Sequence, residues 1–190
     1  MRHVWQEEEW SGLRLDQVRK ALIERSKLSP KLGDLTVREL CCLAKTPWMP
    51  VGIYVFTEGA NVLYTGKTHG RSFQERMISH LDHREPIPGS PHLAQFVQSL
   101  VKKKMVKSAD EAVERILGMN ITWLPIGKGT LEKKEHQLLI AHTERRLLWE
   151  GCLDPSYNSP RVKRNNTFML RGVRYHLVST NLLGSPVSSV

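Results

Sequence analysis

Two tyrosines, Tyr54 and Tyr64, each stand next to or near a glycine in the stretch GIYVFTEGANVLYTGKT, residues 52 to 68. Arg76 and His80 follow, four residues apart, a spacing that sets both on one face of a helix. Farther along, Glu144 lies on a stripe flanked by Leu147 and Leu148, and Asn158 follows in the segment PSYN. Together these side chains suit hydrolysis of a phosphodiester. One carboxylate can hold a divalent cation, one guanidinium can match phosphate charge, and a phenol or imidazole can move protons. A phenol with its ordinary pKa of about 10 is a poor base at neutral pH. Positive charge from Lys67, Arg76 or the cation is therefore expected to make the phenolate more accessible. The glycines are expected to let backbone and phosphate approach closely. Taken singly, each tyrosine reads as a half-buried strand residue; only the set points to chemistry.

Such a set needs elements to position it. Gly52 to Phe56 and Val62 to Gly66 are aromatic and β-branched runs on either side of EGAN, which predicts a hairpin. SFQERMISHLDHR is a helix opened by a capping box, with Ser72 accepting from the Glu75 amide and the Glu75 side chain reaching back. EPIPGSP, with three prolines, is loop; PHLAQFVQSLVKKK is helical, and SADEAVERILG opens on a second capping box, Ser108 with Glu111. NITWLPI is a third strand that turns Ile121 and Trp123 toward the core, and TLEKKEHQLLIAHTERRLLWEG is a long helix stopped by Gly151. Residues 1 to 50 form a helical extension. In RLDQVRKALIERSKL, Leu15, Val18 and Leu22 recur at helical spacing. DLTVRELCCLAKTP is a shorter helix closed by Pro47 and Pro50. This extension mixes 9 basic with 7 acidic residues, which suits packing better than recognition. Residues 160 to 190 form a tail in which TFMLRGVRYHLV is a hairpin turning at Arg171-Gly172. It carries Arg161, Lys163, Arg164, Arg171 and Arg174 and no acidic residue, so it reads either as an arm contacting nucleic acid or as a solvated edge hairpin.

The whole chain shares this bias: 28 Lys and Arg against 19 Asp and Glu give a net charge of +9 over 190 residues. That excess favours polyanionic partners, nucleic acid before membrane. The three cysteines, Cys41, Cys42 and Cys152, contain no CxxC pair and read as reduced thiols in a reducing cytoplasm. MRHVWQEEEW lacks the apolar segment of a signal peptide, and no apolar run approaches the ~20 residues of a membrane span. A soluble cytoplasmic protein without a membrane partner is expected. Two other motifs lead nowhere. HLDH, His80 to His83, has no further ligand at a suggestive interval, so zinc is not expected and His83 reads as a helix-end residue. Gly66-Lys67-Thr68 lacks the upstream glycine spacing of a phosphate-binding loop.

The paired tripeptides GIY at 52 to 54 and YTG at 64 to 66 resemble the GIY-YIG endonuclease superfamily. ERMISH supplies the arginine and histidine of that pattern as Arg76 and His80, and ERRLLWEGCLDPSYN supplies Glu144, Pro155 and Asn158. The resemblance covers residues 51 to 159, with an insertion at about 83 to 118 and Thr65 where the family usually has isoleucine or valine. It implies an α+β fold, a small three-stranded antiparallel sheet flanked by helices. It implies a metal-dependent DNA endonuclease, compact and standing alone as in restriction or phage-encoded enzymes. Tyr54 would take the proton of the attacking water and pass its own to His80, Tyr64 would orient water or phosphate, and Arg76 would bind the scissile phosphate. Asn158 would tie the end of the long helix to the site, and Lys67 would sit beside it. One carboxylate would hold Mg²⁺ or Mn²⁺. Glu135 and Glu144 lie nine residues apart, about half a turn around a helix, so one site cannot use both. Glu144 has the family-like spacing to Asn158 and is the choice. Insertions of this kind often carry recognition elements, which makes Lys102, Lys103 and Lys104 candidates for nucleic-acid contact beside a reading as a solvated helix end. The sequence does not separate DNA from RNA. Cutting both strands would call for a homodimer or two sequential events. The rival reading is a nucleic-acid-binding or regulatory module that keeps the fold without cleavage.

Overall fold

The computed structural model describes residues 4–10, 12–41, 52–68, 72–83, 94–126, 140–141 and 143–144, and the strands at 167–170, 173–176 and 185–186. Two short helices come first, α1 (Glu7–Trp10) and α2 (Leu15–Leu28), followed by a 3₁₀ turn at Leu32–Asp34 and helix α3 (Val37–Cys41). The sheet is built from the expected hairpin, β1 (Gly52–Glu58) and β2 (Asn61–Thr68), with β3 (Asn120–Pro125) on the other side of β1. Its order is β2-β1-β3 and both pairings are antiparallel. Helices α4 (Phe73–Leu81), α5 (Gln95–Lys102) and α6 (Ala109–Leu117) lie in sequence between β2 and β3. The architecture is α+β, as the sequence predicts.

The hairpin turns through Gly59 and Ala60, with Glu58 opposite Asn61. Gly59 has φ of +59°, a left-handed conformation that costs a residue without Cβ little. A bulge interrupts the pairing: Phe56 faces Tyr64, but Thr57 faces Val62, which leaves Leu63 without a partner. The slip changes which face the strand presents. Val62 joins Val55, Ile53 and Leu124 in one core, whereas Tyr64 joins Phe56, Tyr54, Ile121 and Trp123 in the other. The first core is completed by Trp5, Trp10, Val18, Leu22 and Ile140; the second by Phe73, Met77, Phe96, Leu100 and Ile116. Both faces of a three-stranded sheet are therefore covered.

The N-terminal region also closes the outer edge of β3. Trp5 N–H donates to Trp123 O at 2.8 Å, Ile121 N–H to Pro30 O at 3.1 Å, and Leu32 N–H to Met119 O at 2.9 Å. Ser29 and Thr122 share a buried hydroxyl–hydroxyl bond of 2.9 Å. An edge strand that would offer unpaired amides and carbonyls is thereby occupied.

Local chemistry explains the helix ends. Ser72 and Glu75 form the expected capping box, Glu75 N–H to Ser72 Oγ at 3.1 Å and Ser72 N–H to Glu75 Oε2 at 2.7 Å. The second box is only half formed. Ser108 Oγ accepts from Glu111 N–H at 3.1 Å, but the Glu111 carboxylate accepts from the Lys107 amide at 2.7 Å. His83, at the end of α4, meets Asp110 in the first turn of α6 at 3.1 Å.

The tail forms the expected hairpin. β4 (Thr167–Leu170) pairs antiparallel with β5 (Val173–His176), Leu170 opposite Val173 across Arg171-Gly172, and β6 (Ser185–Pro186) adds to β5. Of the expected long helix, Ile140, Ala141, Thr143 and Glu144 are described and are helical. Among the described residues no helix is long and apolar enough to cross a membrane.

Candidate active site

Tyr54 lies at the centre of the sheet and is fully buried. Its ring occupies the space beside its cross-strand partner Gly66, where a Cβ would overlap the tyrosine Cζ and Oη. Gly52 is equally constrained, because a Cβ there would run into the carbonyl of Leu124 and the backbone of Pro125. The expectation that these glycines leave room for phosphate is thus corrected: the protein itself fills both spaces. Gly66 is a seat for the catalytic candidate, and Gly52 permits close strand packing.

Three side chains converge on the Tyr54 hydroxyl. His80, delivered by the last turn of α4, brings Nε2 to 2.5 Å. Arg76, one turn earlier, and Tyr64, from β2, both bear on the same phenol electrostatically, and the Tyr54 and Tyr64 rings stack with centroids 6.2 Å apart. The spacing of four on α4 therefore does what the sequence suggests, setting guanidinium and imidazole on one side of the helix. Arg76 Nε is buried and has no hydrogen-bond partner among the described residues.

Electrostatics act in the direction expected of Arg76, which favours the phenolates, but burial outweighs it. Burial, followed by the neighbouring Tyr64, pushes the Tyr54 pKa well above the usual phenol value, and Arg76 opposes this without reversing it. Burial raises Tyr64 too. Both phenols are held neutral, because desolvation outweighs the nearby cation. His80 is lowered to about 3, first by burial and then by Arg76. A neutral imidazole with its proton on Nδ1 leaves Nε2 free to accept the Tyr54 O–H.

Lys67 is not directed at the phenols. Its Nζ pairs with Glu144 Oε2 at 2.7 Å, both side chains partly exposed. The negative charge of Glu144 is felt at both tyrosines, so the carboxylate belongs to the same electrostatic neighbourhood. Glu144 is a hard oxygen donor, the type of group that binds Mg²⁺ or Mn²⁺; here it is matched by the Lys67 ammonium, and among the described residues no group of three or more His, Cys, Asp or Glu is placed to hold a metal.

Lys102, Lys103 and Lys104 are exposed and lie elsewhere. They run from the last residue of α5 into the turn that follows it, whose Met105 carbonyl is held by Arg115, the same residue that pairs with Glu58 at 2.7 Å. That is the hairpin-tip end of β1, four residues from Tyr54 at its other end, or roughly 13 Å along a strand. Asn158, Pro155, Arg161, Lys163, Arg164 and Glu135 lie outside the described residues.

The sequence reading misses Phe96. This residue of α5 is fully buried and stacks on Tyr64 with ring centroids 4.6 Å apart and an interplanar angle of 21°. It also approaches Phe56 at 5.4 Å and His80 at 6.0 Å. The apolar face formed by Phe96, Val97 and Leu100 signals burial; nothing local in the sequence says against what.

Comparison with protein-family models, curated proteins and solved structures yields no match to this chain.

Proposed function

We propose that the chain is a metal-dependent endonuclease that hydrolyses phosphodiester bonds in DNA, a member of the GIY-YIG superfamily that its motifs resemble. The observation that carries this reading is the convergence of Arg76, Tyr64 and His80 on one buried phenol, Tyr54. A structural tyrosine needs one hydrogen-bond partner. Tyr54 has one hydrogen-bonded titratable partner, His80, and two more titratable groups, Arg76 and Tyr64, acting on it electrostatically, a grouping that suits proton transfer next to an anion.

The raised phenol pKa defines the mechanism. Tyr54 acts as a neutral conduit and not as a standing phenolate. Water attacks phosphorus, its proton passes to the Tyr54 oxygen, and the phenol proton passes to His80 Nε2. The bond from phosphorus to the leaving oxygen breaks, and that oxygen takes a proton from solvent. Phosphate charge developing beside the imidazole raises its proton affinity at the moment the proton arrives. Arg76 donates to the non-bridging phosphate oxygens, and Tyr64 orients the attacking water. A divalent cation held by Glu144 would supply charge relief at the phosphoryl oxygens. Lys67, which pairs with Glu144 in this structure, would turn its ammonium to the phosphate if the carboxylate held the cation. The net charge of +9 supports a polyanionic substrate. Cutting both strands would need two such sites, from a homodimer or from two sequential events.

Incubation with supercoiled plasmid and Mg²⁺ or Mn²⁺, beside Tyr54→Phe and Glu144→Ala, tests the reading. Metal-dependent cleavage is expected, reduced by about 10²–10⁴-fold in Tyr54→Phe, the range for loss of a general base. A Tyr54→Phe variant that cuts normally sinks the relay. Salt-dependent binding without cleavage under any metal would favour a binding module that shares the fold.

A further inference from the structure

Helix α5 belongs to the insertion between β2 and β3, yet one of its residues forms a wall of the tyrosine–histidine cluster. We propose that Phe96 is a positioning residue for the proton relay, clamping Tyr64 and His80 against Tyr54. The inference rests on the relay reading for what is being positioned, but its physical content stands on ring geometry.

The imidazole of His80 is enclosed by four rings, with centroids at 5.0 Å for Tyr64, 5.4 Å for Tyr54, 5.8 Å for Phe56 and 6.0 Å for Phe96. Tyr54 and Phe56 come from the central strand and Tyr64 from its hairpin partner. Phe96 is the ring contributed by a separate helix. It does two things. Its face stacks on Tyr64, which fixes the plane of a ring that the β2 strand alone would leave free to turn. The same ring stands nearly perpendicular to His80, which keeps water from the imidazole on that side. Among the described residues, the titratable and charged groups near His80 are Tyr54 from β1, Tyr64 from β2 and Arg76 from α4 itself, with Glu144 acting on the two phenols. None comes from α5, so a change at Phe96 alters packing and solvation without adding or removing charge.

A core phenylalanine with no role in the relay would show only as stability. Leu100 separates the two cases. It lies on the same helix, is equally buried and faces the same core, but is absent from the ring cluster. The experiment is an NMR titration of the His80 ring in the wild type, Phe96→Ala and Leu100→Ala, with plasmid cleavage by the same samples. In Phe96→Ala the His80 midpoint is expected to rise by more than one pH unit toward the ordinary value of about 6.5. Cleavage should fall at least tenfold through kcat. Leu100→Ala should lose comparable stability and move neither readout. Where Phe96→Ala does not fold, Phe96→Leu decides by the same criteria, with a smaller shift in the same direction. An unchanged midpoint in the folded variant overturns the proposal, as does an equal shift in Leu100→Ala. The titration is readable whether or not the protein cuts DNA, so a wild type without cleavage defeats the nuclease reading and leaves the clamp to be judged by the midpoint.

Discussion

His80 shows how one side chain can couple the site to the stability of the fold. Its imidazole is buried among rings beside Arg76, and its pKa falls to about 3, against about 6.5 in an unfolded chain. Above the unfolded value both states hold a neutral ring and the residue contributes nothing to pH dependence. As pH falls below it, the unfolded chain binds a proton that the folded chain does not, so stability declines until the folded pKa is reached. One proton corresponds to at most about 1.4 kcal/mol per pH unit. Urea midpoints should therefore drop more steeply from about pH 6 to about pH 4 in the wild type than in His80→Gln. Equal slopes would show that the imidazole is not held neutral. The identity of these residues was legible in the sequence, because tyrosine, arginine and histidine at such spacings are chemistry-bearing types. Their protonation was not. Charge proximity suggested an accessible phenolate, whereas burial, which depends on helices distant in sequence, holds both phenols neutral. The role of Gly66 was hidden for the same reason, since its missing side chain makes room for Tyr54 from the neighbouring strand.

Elements were legible where their signals are local. The hairpin, the box at Ser72 and the pairing of Thr167–Leu170 with Val173–His176 each depend on a few adjacent residues, and each forms. The end of α5 was not legible. Met105 N–H bonds Leu100 O at 3.0 Å and Lys104 N–H bonds Val101 O at 2.9 Å, a Schellman closure. The residue at its left-handed position is Lys104, with φ of 56°, where glycine is the usual occupant and lysine gives no sequence signal. The left-handed backbone costs a residue with a Cβ roughly 1–2 kcal/mol, partly offset by the greater freedom glycine has when unfolded. Lys104→Gly should therefore stabilise the protein by about 0.5–1 kcal/mol, raising the melting temperature by about 1–4 °C. A lower melting temperature would mean that the lysine side chain makes a contact worth more than the strain. The bulge at Leu63 escaped notice for a related reason. A one-residue slip in pairing is decided by which face each neighbour must bury, and no dipeptide marks it.

At the scale of the molecule, a sheet whose central strand is apolar on both faces needs a layer on each side, and the two layers have different duties. The α4–α5–α6 side carries the tyrosine–histidine cluster and the N-terminal side carries no part of it. Trp10 is the largest fully buried side chain of the N-terminal layer, packed with Val18, Leu22, Ile53 and Val55. Its truncation should behave as a core deletion on the face of the sheet away from the tyrosine–histidine cluster, in a core that also holds Ile140, one turn before Glu144. Replacing a buried tryptophan by alanine costs about 3–5 kcal/mol, a large share of the roughly 5–15 kcal/mol that holds a domain together. In Trp10→Ala the urea midpoint should therefore fall sharply. At low denaturant and low temperature, where the variant is still folded, the His80 titration should match that of the wild type. The intervening sheet transmits little because its strands are pinned on both sides of β1 and along the outer edge of β3. A midpoint that does not move would mean that the N-terminal layer is dispensable. A shifted His80 titration in a folded Trp10→Ala would mean that the two layers are coupled through Ile53 and Tyr54, adjacent residues of β1 that point to opposite faces.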